Sequence, residues 1–123
     1  MGVADQLNAF RQAFPACRVA TFADLASGLV LFASTDRRLP QERLDALCAR
    51  AKLVLGDLPD AARAAMGGPA AHAVVAERES FLVFVRSRKE PDEALVCECA
   101  TEVDLPAFIA RATDELAAID APG

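Results

Sequence analysis

"AHAVVAERESFLVFVRSRKEPDEALVCECA" (residues 71–100) decides the fold. Three strand-like runs are parted by two short polar breaks, the pattern of consecutive antiparallel hairpins. In the second run, Phe81 to Val85 is apolar at every position, with Phe81, Val83 and Val85 pointing one way and Leu82 and Phe84 the other. A strand apolar on both faces predicts a central place in the sheet, covered on each side. "KEPDE" (89–93) makes the second turn, and "ALVCECATE" (94–102) the third strand. There Val96, Glu98 and Ala100 share a face, which sets a carboxylate among apolar neighbours. The expected answers are a position near the rim or an ion pair with Arg18 or Arg86.

Upstream, "TFADLASGLVLFAST" (21–35) joins two more strands, Arg18 to Ala23 and Leu29 to Ser34. Asp24, Ser27 and Gly28 between them could hold a phosphate, arm a nucleophile or turn a hairpin. A phosphate loop needs more glycines and a following helix whose amides aim at the anion. Here one glycine leads straight into a strand, so the hairpin is expected.

Helices fill the remaining positions. Val3, Leu7, Phe10 and Phe14 form one stripe, ended by Pro15. Leu44, Leu47, Cys48, Ala51 and Leu55 form a second, with Pro40 in the first turn and Gly56 as stop. Val54 and Leu58 lie off that stripe, which gives the middle helix apolar character on more than one side. "DAARAAMGGP" (60–69) adds a further helical turn. Leu105, Phe108, Ile109, Ala112, Leu116 and Ile119 make the last stripe, with Asp104 as N-cap and Pro106 in the first turn. No repeat or linker divides the 123 residues. The expectation is one α+β domain of order α-β-β-α-β-β-β-α, a five-stranded antiparallel sheet with helices on both faces. Two helices cover one face and the middle helix the other.

Composition narrows the function. Thirteen basic against 18 acidic residues leave a net charge of −5, which repels phosphate backbones. There are seven Phe but no Trp or Tyr, so stacking platforms for single-stranded nucleic acid are scarce. Arg37-Arg38 and "RSRK" (86–89) are the tight basic clusters, expected as solvated loop charges. No apolar run approaches membrane-spanning length and the start is not a secretory signal, so a cytoplasmic protein is expected. In that compartment Cys17, Cys48, Cys97 and Cys99 are expected as free, buried thiols. A metal or redox binder would need them to converge, and Cys97 and Cys99, two apart on one strand, are poorly placed for a disulfide with each other. His72, the single histidine, is expected as a strand-end polar residue. No nucleotide-binding, nucleophile-elbow or metal-loop motif occurs, so neither catalysis nor a cofactor is indicated.

In this order of elements the chain resembles the Roadblock family, the dynein-light-chain type of profilin-like domain, from about Leu7 to Ile119. "VATFADLASGLVLFAS" (19–34) is similar to the family's first hairpin, and "AHAVVAERESFLVFVRS" (71–87) to its third and fourth strands. "ALVCECATEVDLPAFIARATDEL" (94–116) looks like its last strand and closing helix. The resemblance implies a non-enzymatic homodimer that serves a small Ras-like GTPase. It also implies pairing through the third strand, here His72, Val74 and Ala76, with the middle helices side by side, here Leu44, Leu47, Ala51 and Val54. An edge strand with free amides and carbonyls is itself a template for pairing. The alternative is a small-molecule-sensing, PAS-like relative with a pocket on one sheet face.

Overall fold

Seven consecutive residues, Ala94 to Ala100, are buried in the last strand, and the domain is laid out around them. The computed structural model describes residues 2–56, 61, 64, 65, 67 and 71–120. Its elements are α1 (Val3–Ala13), β1 (Cys17–Asp24), β2 (Leu29–Thr35), α2 (Gln41–Gly56), β3 (His72–Ala76), β4 (Ser80–Arg86), β5 (Glu93–Ala100) and α3 (Leu105–Asp120). The five strands form one antiparallel sheet in the order β2-β1-β5-β4-β3. Most of "DAARAAMGGP", and Leu58, lie outside the described residues.

The fold class is the one expected, with one adjustment to the sheet. β4 is covered on both faces, but the middle place belongs to β5, between β1 and β4. β5 is as fully buried as β4, yet Glu98 interrupts its apolar run and conceals its rank.

Each face carries its own core. Phe10 of α1 and Phe108 of α3 pack on Phe22, Val83, Val85, Leu95, Cys97 and Cys99 of the sheet. On the other face Leu47, Cys48, Ala51 and Leu55 of α2 pack on Val19, Ala23, Leu82, Phe84 and Val96. α1 is tied to α3 by three rings. Phe108 stands 5.1 Å from Phe10 and 5.0 Å from Phe14 between ring centres. A polar seam joins α1 to β2, where Ser34 Oγ donates to Asn8 Oδ1 at 2.5 Å and accepts from Arg11 Nε at 2.8 Å.

Local chemistry explains the ends of the elements. Asp104 Oδ1 accepts the Ala107 N–H at 3.2 Å, the expected N-cap of α3. Pro40 stands just outside α2 instead of in its first turn, and its carbonyl accepts the Arg43 and Leu44 amides. In the first hairpin, Asp24 accepts the Ala26 amide at 3.1 Å and the Ser27 hydroxyl at 2.9 Å. Gly28 closes the turn at φ +73°, a conformation that favours glycine. Asp24 and Ser27 satisfy each other, so the cluster is a hairpin turn.

Candidate functional site

β3 is one edge of the sheet, and its register fixes which backbone groups are unused. The Glu77 amide donates to Ser80 O and the Arg86 amide to Ala71 O, each at 2.8 Å. With the pairing His72↔Val85 through Ala76↔Phe81, strict alternation gives Ala73 and Val75 to the β4 ladder. The N–H and C=O groups of His72, Val74 and Ala76 therefore point away from β4, and no described residue pairs with them. His72, at the strand's start, and Val74, which is 38% exposed, are open to solvent.

Side chains alternate as well. His72, Val74 and Ala76 face the α1/α3 side with their partners Val85, Val83 and Phe81, whereas Ala73 and Val75 pack with the α2 core. Of the helix residues named from the sequence, Leu47 and Ala51 are buried in the protomer's own core, and Leu44 and Val54 are half-buried against it. The outward flank of α2 instead carries Ala46, Arg50 and Leu53, the last 61% exposed. Sequence reasoning missed this flank because Leu53 is its one large apolar side chain. The signal for its other members was the seven-residue spacing of Arg43 and Arg50, two helical turns on one side.

Those two arginines tie α2 to the sheet. Arg50 Nη1 lies 3.4 Å from Glu77 Oε2, and Arg43 Nη2 donates to Glu98 Oε1 at 3.0 Å. Glu98 is thus paired, but with Arg43 of α2 and not with Arg18 or Arg86. Arg86 instead donates to Pro91 O at 3.1 Å and to Leu55 O. The Glu98 side chain is 10% exposed and Arg43 47% exposed. Removing Arg43 strands a nearly buried carboxylate, which costs more than the pair contributes. R43A is expected to lose about 1–3 kcal/mol in denaturant melts. R43M/E98M should lose clearly less than R43A. Equal losses would show that the pair acts independently.

Both sheet faces are filled by helices, so a sensor's pocket on one face is not formed among the described residues. The larger cleft, about 450 Å³, lies at the rim between the β4–β5 turn and the end of α3, with Arg88, Lys89, Thr113 and Asp120 on its walls. A smaller cleft of about 280 Å³ is lined by the two ion pairs, Arg43–Glu98 and Arg50–Glu77.

At the larger cleft, Ser87 Oγ donates to Asp120 Oδ2 and the carboxyl of Glu93 hydrogen-bonds Asp120. Burial raises the Glu93 pKa from 4.5 to about 7, aided by that hydrogen bond and by the charges of Asp120, Glu90 and Asp24. The unfolded chain releases this proton near 4.5, while the folded one holds it to about 7. Between those values the native state binds more protons, so stability falls as pH rises through that window. Thermal melts of the wild type should show a lower midpoint at pH 7.5 than at pH 5.5, a drop that E93Q removes; the same drop in E93Q would place the titration elsewhere.

The four cysteines are buried free thiols. Among the described residues, no group of three or more His, Cys, Asp and Glu is disposed to hold a metal, and no helix is long and apolar enough to cross a membrane.

No protein-family model matches the sequence, and no curated protein does. Solved structures do. A Roadblock/LC7 domain from Streptomyces avermitilis superposes with a TM-score of 0.76 at 16% identity, over 97% of this chain and 95% of that one. MglB of Myxococcus xanthus gives 0.70 at 14% identity over 95% and 93%, and the gliding protein MglB of Thermus thermophilus gives 0.70 at 18% over 95% and 87%. The superpositions span nearly every element just described, and at these identities they speak for architecture. The chain has the Roadblock/LC7 fold.

Proposed function

We propose that this chain is a non-catalytic scaffold of the Roadblock type, a cytoplasmic homodimer that serves a small Ras-like GTPase. The observation that carries the dimer is the open β3 edge, where His72, Val74 and Ala76 offer unpaired backbone donors and acceptors. Two such edges placed antiparallel make one continuous sheet. The outward flank of α2, with Ala46, Arg50 and Leu53, stands on the same side of the protomer, joined to the end of β3 by the Arg50–Glu77 contact. His72, Val74 and Ala76 supply the backbone pairing. The packing beside it falls to Leu53 and the half-buried Leu44 and Val54, with Leu47 and Ala51 supporting them from within.

The GTPase rests on the family likeness. A scaffold needs no nucleophile, and among the described residues the thiols are buried and the single histidine stands at a strand end. Light scattering on the eluting protein should give twice the chain mass; a protomer mass at every concentration overturns the dimer. The immobilised protein should retain a GTP-binding protein in a manner that depends on the bound nucleotide, and should release no phosphate from GTP alone. Capture indifferent to nucleotide overturns the GTPase assignment and leaves the dimer standing.

A further inference from the structure

Three of the four cysteines meet at one end of the sheet. Cys17, the first residue of β1, lies directly opposite Cys99 of β5, and Cys97 follows on the same face of β5. The three thiols share one buried cluster, and the Cys17 thiol donates to Val19 O at 3.4 Å. The Ala100 amide donates to Ala16 O at 2.8 Å, so that neighbouring pair is the hydrogen-bonded one. Cys17 and Cys99 are thus cross-strand partners outside that hydrogen-bonded pair, beside the bulge where the register slips between Cys17 and Val19; an undistorted pair of this type has its Cα atoms about 4.5 Å apart, inside the disulfide range.

We propose that Cys17 and Cys99 are an intramolecular redox couple, closed to a cross-strand disulfide by a small disulfide oxidant of the glutathione class. The Cys17 thiolate attacks one sulfur of the oxidant and expels the other half as a thiolate, which takes up a proton. Cys99 gives its proton to water and attacks the Cys17 sulfur of the mixed disulfide, releasing the second half. The protein gives up two protons and two electrons, and the oxidant becomes two thiols.

Cys17 is the first attacker on two grounds. Its pKa is lowered by the shared interaction with Cys97 and Cys99 and by the Arg11 charge, whereas the same interaction and burial push Cys97 and Cys99 up. It also begins its strand, two residues after exposed Pro15, and Thr101 and Glu102 are exposed just past Ala100. Sheet ends open before sheet centres, so Cys17, a residue only 2% exposed, is reached by fraying. Cys48, a residue of α2, is buried on the other face of the sheet and takes no part.

The folded wild-type protein, incubated with oxidised glutathione, should lose about 2 Da and two of its four free thiols. A non-reducing peptide map should join Cys17 to Cys99, and dithiothreitol should reverse the change. C48S should oxidise as the wild type does, and C99A should stop at a glutathione adduct. Four thiols surviving in the folded wild type overturn the proposal. So does a link from Cys17 to Cys97, one that includes Cys48, or one between two chains.

Discussion

Phe108→Ala is expected to cost about 3–5 kcal/mol of folding free energy, a large share of the roughly 5–15 kcal/mol that holds a domain of this size together. Phe108 is fully buried, and its ring meets both Phe10 and Phe14 of α1. Truncation leaves a cavity between two helices and the sheet, and rigid strands beneath cannot close it. Denaturant titration followed by circular dichroism measures the loss directly. The half-buried Phe14 provides the scale, and F14A should cost clearly less than F108A. A loss under about 1 kcal/mol for F108A would show that the three rings do not tie α1 to α3.

Val74→Pro carries the second large effect, on assembly instead of folding. The Val74 amide points away from β4, so proline there leaves the β3–β4 ladder intact while removing a donor from the outer edge. In a two-fold pair both protomers lose that donor. Two net hydrogen bonds and the ring's intrusion into the seam should weaken the dimer about 100-fold or more. Light scattering should then show a protomer with an unchanged circular dichroism spectrum. L53E attacks the helix flank and should act in the same direction. A folded V74P variant that dimerises with the wild-type affinity would refute pairing through β3.

Most of the architecture was legible in the sequence because its signals are local. Phe81 to Val85 announces an interior strand, Gly28 with Asp24 and Ser27 a hairpin, and the stripe ending at Leu116 and Ile119 a helix capped by Asp104. The rank of β5 was hidden by Glu98, and Glu98's partner by distance. Arg43 lies 55 residues earlier, and only the crossing of α2 over the sheet brings the two within 3.0 Å. The candidate edge was half legible. Alternation identifies His72, Val74 and Ala76 as one set, but whether their backbone groups face β4 or solvent depends on the strand register. Likewise Leu47 and Ala51 belong to the stripe that any amphipathic helix shows, and that stripe faces home.

The place of β5 has a consequence for synthesis. The strand made last is the one that both hairpins, β1–β2 and β3–β4, require as their neighbour. Emerging from the ribosome, the first ninety or so residues hold two unjoined ribbons, of which β1–β2 has α1 and α2 to pack on while β3–β4 has no neighbouring ribbon to join. Chaperone demand should peak in that interval and fall once residues 93–100 slide between them and α3 closes over the face it shares with α1, so the domain sets late.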